Sequence, residues 1–234
     1  MKAGGFVEIN SASFPFYFQK SLFLSKNRNK VNFLEFRKSF IEVGCVNTHQ
    51  ILTLYPQFSN NNLTRWVKQG LLVKLRQGYY AFPELRGQPD FALYVSNRIY
   101  KPSYISLHTA LAFYGIIPEA VTQITAVSSL KTAEFKNEFG VYAYKKVREE
   151  LFFGYDSKPF GDKTILFAHP EKALLDLLYL YPFYDSPEEM EGLRLDEEYM
   201  ANDLDWARLD EYAARFDSKA LARRVELMKK TYGL

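Results

Sequence analysis

The stretch at residues 60–83, NNNLTRWVKQGLLVKLRQGYYAFP, constrains the fold more than any other part of the chain. Leu63, Trp66 and Val67 recur at i, i+3 and i+4, which is a helical stripe, and Gly70 stops it. At about 100° per residue, Asn61, Thr64, Arg65 and Lys68 fall on the opposite face. Leu71–Leu75 and Tyr79–Phe82 then read as two strands around Arg76-Gln77-Gly78, closed by Pro83. A short polar-faced helix followed at once by a basic hairpin admits few folds.

The residues before it narrow the choice. Val31–Val43 carries apolar residues at 33, 34, 36, 40, 41 and 43, a second helical stripe, with Gly44 as its C-cap. Thr48 is placed to cap a short helix, HQILTLY, whose Ile51, Leu52 and Tyr55 share a face and which Pro56 ends. Ser59 is placed to cap the third. Three helices with a short second one, then a basic hairpin, is the order of a winged helix. The expectation is therefore a winged helix-turn-helix over 31–83 that binds double-stranded DNA. In that reading Arg65 suits guanine and Asn61 adenine, with Thr64 and Lys68 on the same face. Lys74, Arg76 and Gln77 on the wing suit backbone phosphates, which position without specifying. Winged helices also serve as protein-interaction modules, and a polar helix face is commonly just solvated.

Charge sides with DNA. Residues 1–82 hold eleven Lys or Arg and three Glu, a balance of +8, whereas the remainder holds 19 bases and 24 acids. A basic first third joined to an acidic remainder implies two modules with different partners. The single cysteine, Cys45, excludes an internal disulfide and a cysteine-cluster metal site, and its setting IEVGCV predicts a buried, inert thiol. No apolar run approaches the roughly 18 residues that span a bilayer, so no membrane partner and a cytoplasmic location are expected.

After a linker at 84–89 the pattern changes to that of a mixed α/β domain at 90–234. Asp90 is placed to cap FALYVSNRIY, and Pro102 breaks the chain before an extended Tyr104-Ile105. Ser106 caps a helix that Gly115 ends. VTQITAVS (121–128) and KTILFA (163–168) read as strands, and 132–147 as a hairpin turning near Asn137. Pro170 opens the apolar helix EKALLDLLYLY at its first position. Two amphipathic helices, broken near Asp217-Ser218, close the chain. The fold class expected is α+β: a winged helix-turn-helix, then a mixed α/β domain with C-terminal helices. Residues 1–30 form an N-terminal extension outside both modules.

The ordered motifs VKLRQGYYAFP, PSYISLHTALAFYGIIPE, the F…G…Y.Y hairpin, ELFFGY and PEKALLDLLYL resemble the AbiEi antitoxin family. These are the antitoxins and transcriptional regulators of type IV toxin–antitoxin, abortive-infection systems. The similarity spans about residues 31–181. His169 departs from it, standing where a small capping residue such as Thr is expected. The resemblance implies a repressor of its own operon that neutralises a nucleotidyltransferase-like toxin by functional antagonism, without a stable complex.

Nothing in the residues marks an enzyme. His49, His108 and His169 show no metal-ligand spacing, and no nucleophile elbow or phosphate-cradling glycine loop is present. Glu171 and Asp176, five residues apart on one helix, splay by about 140° and make a poor acid–base pair. We expect no catalytic residue, cofactor or metal. Core packing is the preferred reading of Phe152, Phe153, Tyr155 and the YLYPFY stretch at 179–184. The acidic run from Asp185 to Glu198 reads as a solvated loop. The stripe Leu221, Val225, Met228 and Tyr232 suits either docking on the domain or a homodimer on DNA. The leading expectation is a DNA-binding antitoxin. The alternatives are a stand-alone regulator whose second domain binds a ligand or protein, and an interaction adaptor with no DNA role.

Overall fold

Asparagine carboxamides start the first two helices. Asn32 accepts the Glu35 amide hydrogen at 3.0 Å and opens α1 (Phe33–Phe40). Asn47 and Gln50 form a reciprocal capping box that opens α2 (Thr48–Leu54). The cap of α2 is thus Asn47 and not Thr48, because Asn47 together with Gln50 satisfies two orphan amides at once. α3 (Asn60–Lys68) follows Ser59, whose side chain makes no cap bond, and Gly70 leaves it at φ +70°. In the computed structural model, residues 31–88, 90–118 and 122–234 are described. The expected extension 1–30 lies outside them, as do Pro89 and 119–121.

The hairpin forms as β2 (Val73–Arg76) and β3 (Tyr79–Ala81). The sequence did not announce β1 (Cys45–Asn47), which pairs antiparallel with β3 and gives the order β1-β3-β2. Phe36, Trp66 and Phe82 fill the centre with ring centroids 4.9 and 6.0 Å from Phe36. Such edge and tilted aromatic contacts add to ordinary area burial.

The second half builds a six-stranded sheet in the order β6-β7-β5-β4-β9-β8. Its elements run α4 (Phe91–Ile99), β4 (Ser103–Ile105), α5 (Leu107–Phe113), β5 (Gln123–Ser128), β6 (Ala133–Asn137), β7 (Gly140–Lys146), β8 (Tyr155–Phe160) and β9 (Lys163–Ala168). The helices α6 (Pro170–Leu180), α7 (Pro187–Glu191), α8 (Glu197–Asn202), α9 (Trp206–Phe216) and α10 (Lys219–Tyr232) complete it. The chain is therefore mixed α/β with two sheets among the described residues. β8 escaped notice because YDSKPF is polar and holds Pro159, which an edge strand tolerates. Asp90 does not cap α4: it sits at φ +58° and its carboxylate makes no cap bond.

Two tail readings change. The acidic stretch is not a loop throughout but holds α7 and α8, which turn Met190 and Met200 inward; Leu193 and Leu195 between them are buried too, and most of the acids stay outside. The α10 stripe docks on its own domain: Leu221, Val225 and Met228 are buried, and the Tyr232 hydroxyl donates to the Met190 carbonyl.

The two halves meet in a packed seam. Within the linker expected at 84–89, residues 83–87 form a 3₁₀ turn that buries Leu85. Tyr94 Oη donates to the Val43 carbonyl at 2.9 Å, and Asn137 Nδ2 to the Leu75 carbonyl at 3.2 Å. Arg86 pairs with Glu138. Gly44 lies at φ +73°, and a Cβ there would come within 2.8 Å of the Phe91 ring.

Candidate nucleic-acid interface

α3 divides cleanly. Leu63 and Trp66 are buried and Val67 is half-buried, while Asn61, Thr64, Arg65 and Lys68 are exposed on the opposite side. Arg65 Nη2 donates to the Asn62 carboxamide at 3.0 Å, which lays the guanidinium along the helix surface with donors left over. From Val43 to Pro83 the chain contains no Asp or Glu, so this face carries uncompensated positive charge.

The hairpin is anchored by the Thr48 amide, which donates to the Gly78 carbonyl at 2.9 Å. Gly78 adopts φ +77°, a conformation that glycine takes without steric cost. Lys74 and Gln77 are exposed beside it. Arg76 is not placed as expected. The pairing register slips between Lys74 and Arg76, and Arg76 is half-buried where Lys74 is exposed. Arg76 Nη1 donates to the Ile99 carbonyl at 2.8 Å. Its guanidinium lies 5.2, 5.7 and 5.0 Å from the ring centres of Tyr79, Tyr100 and Phe135. It is a bridge between the halves and is turned away from the exposed wing face. The structure thus groups six of the seven expected residues as exposed side chains on α3 and the wing and withdraws the seventh.

The second half holds a polar cluster that sequence reasoning did not assemble. Lys172 and Asp176, one turn apart on α6, are both 0% exposed and form an ion pair. Asp176 also accepts from the Tyr104 hydroxyl at 2.9 Å and from Ser106 Oγ at 2.8 Å. Lys172 Nζ donates to Tyr104 Oη at 2.9 Å and lies over the Phe153 and Phe216 rings. Burial lowers the Lys172 pKa and raises those of Asp176 and Tyr104, with the Asp176 charge adding to the last. The signal was available: charges at i and i+4 in a helix apolar all round must be buried together. Full burial gives this cluster no access to a substrate.

Glu171 accepts the Asp205 amide hydrogen at 3.0 Å and so ties α6 to the start of α9. His169 precedes α6 without capping it through its ring. Its Nε2 meets Asp156 at 2.7 Å and its Nδ1 meets Tyr212 Oη at 2.8 Å. A carboxylate only accepts, so Nε2 carries a proton and a neutral ring takes the Tyr212 hydrogen on Nδ1. Through that chain of contacts the histidine links β8, α6 and α9. His49 is exposed in the first turn of α2, and His108 packs edge-on to the Tyr181 ring.

Among the described residues no three His, Cys, Asp or Glu side chains gather as a metal site, and no helix is long and apolar enough to cross a membrane. No family model matches the chain, and comparison with curated proteins finds no match.

Proposed function

We propose that the protein is a cytoplasmic DNA-binding antitoxin that represses its own operon through residues 31–83 and antagonises a nucleotidyltransferase-like toxin through residues 90–234. The observation that supports DNA binding is the exposed, acid-free face of α3, with Asn61, Thr64, Arg65 and Lys68 beside Lys74 and Gln77 of the hairpin. Three helices, the hairpin and a third strand pairing with it follow the order of a winged helix. In this reading α3 enters the major groove, while Lys74 and Gln77 meet phosphates. The antitoxin half rests on the resemblance to AbiEi antitoxins. No catalytic step is assigned to either half.

Full-length protein carries the test. Binding to duplex promoter DNA should weaken with salt at a log–log slope of about −0.9 per phosphate contact. Changing Asn61, Arg65 and Lys68 together to Ala should abolish repression of a promoter–reporter while the protein still protects cells co-expressing the toxin encoded beside it. A flat salt response would remove the DNA reading. A folded triple mutant that represses normally would remove α3 as the reader, and one that no longer protects would place neutralisation on DNA binding.

A further inference from the structure

A groove of about 460 Å³ opens along α4 on the seam side of the larger sheet. Its walls include Tyr94, Asn97, Arg98 and Lys101 on one side and Thr164 and Leu166 of β9 on the other. This volume lies within the range of small-molecule sites, roughly 300–1,000 Å³. Neither Arg98 nor Lys101 forms an ion pair among the described residues; Arg98 lies over the Tyr94 ring, 5.7 Å from its centre. The carboxyl end of α4 offsets only about half a unit of charge, so most of this positive charge stays unmatched. The two cations are close enough to feel each other: the Lys101 pKa is lowered first by burial and then by Arg98.

The floor of the groove carries a second, independent sign. Asn97 is 6% exposed, and its Oδ1 accepts the Leu166 amide hydrogen, which fixes the carboxamide orientation. Its Nδ2 is buried with no hydrogen-bond partner. Buried donors in native proteins are almost always satisfied, so this orphan leaves the groove wall one acceptor short.

We propose that this groove binds a small phosphorylated ligand, with its phosphoryl oxygens on Arg98 and Lys101 over Asn97 and its remaining part along Tyr94 and Leu166. A phosphomonoester carries about −1.5 to −2 at neutral pH and matches two cations, whereas a carboxylate would leave one unmatched. The site is also placed to report its occupancy. Ile99, at the end of α4, accepts the Arg76 hydrogen bond from the wing, and Tyr94 holds Val43 beside β1. This regulatory consequence rests on the DNA-binding reading; the binding itself does not.

Calorimetry on the full-length protein without DNA tests the binding, using adenosine monophosphate and inorganic phosphate as probes. The expected result is saturable one-site binding of adenosine monophosphate in the micromolar to low millimolar range. Lys101→Glu should weaken it at least tenfold, and Asn97→Asp similarly, with circular dichroism confirming that both variants fold. Equal affinity for inorganic phosphate would assign the site to the phosphoryl group alone, and a preference for the nucleotide would show that its organic part is read along Tyr94. No binding of either probe, or binding unchanged in Lys101→Glu, overturns the proposal. So does protection of Lys101 from acylation by promoter DNA and not by adenosine monophosphate, which would make this face part of the DNA surface. Because DNA is left out of the calorimetry, a failure there leaves the role of α3 untouched.

Discussion

Replacing Arg76 separates a structural cation from a phosphate contact. In the structure its guanidinium donates to the Ile99 carbonyl at 2.8 Å and faces three aromatic rings at 5.0 to 5.7 Å. A hydrogen bond from a charged donor contributes about 1.5–3 kcal/mol. Cation–π contact adds roughly 0.5–1 kcal/mol at a half-exposed site, and the three rings are not additive. Arg76→Ala should therefore destabilise the protein by about 2–4 kcal/mol, a fall in Tm of about 4–16 °C for a chain of this size. Arg76→Lys is the decisive control. Lysine keeps the charge, so a phosphate contact would survive it, but it lacks the planar fork that both stacks and reaches Ile99. Thermal unfolding and promoter binding should be measured on all three proteins at one salt concentration. The expected pattern is that Lys fails to restore Tm, and that DNA affinity per folded molecule falls less than twofold in either variant. Full thermal stability in Arg76→Ala together with a loss of DNA affinity that Lys restores would refute the bridging role.

Three further outcomes follow from the buried groups. Asp176→Ala strands a charged Lys172 and two hydroxyls and should cost about 3–5 kcal/mol in urea unfolding, whereas Lys172→Met with Asp176→Leu should cost less than Asp176→Ala alone; a costlier double variant would contradict the pairing. Burial pushes the Cys45 thiol from its usual 9.0 up to about 12. The folded state therefore holds a proton that the unfolded chain loses, so this contribution is complete below pH 9 and disappears as pH rises towards 12. Cys45→Ala should flatten that alkaline slope, and the native thiol should resist alkylation at pH 8. Gly44→Ala should cost about 1–3 kcal/mol, from the positive φ and from contact with the Phe91 ring. Phe91→Leu should recover the packing part only.

Much of the first module was legible because its signals are local. Glycines at 70 and 78, Pro83, and apolar residues at helical spacing act within a few residues, so α1, α2, α3 and the hairpin could be placed without knowing their neighbours. The same holds for the apolar α6 and the break at Asp217-Ser218, where the backbone turns left-handed. The exposed set Asn61, Thr64, Arg65 and Lys68 followed from one helical period and two inward anchors. What the sequence left open depends on which surfaces meet. Its place on the wing suited Arg76 to a phosphate, but the fold brings Tyr100 and Phe135, far along the chain, against its guanidinium. β1 exists because Ala81 and Tyr80 offer it an edge. The acids of 185–203 hid two helices because four apolar side chains there needed α10 and its neighbours to cover them. Local propensity and capping are settled by a residue and its nearest neighbours. The partner of a buried charge or an unpaired edge is settled only when distant segments exclude water together.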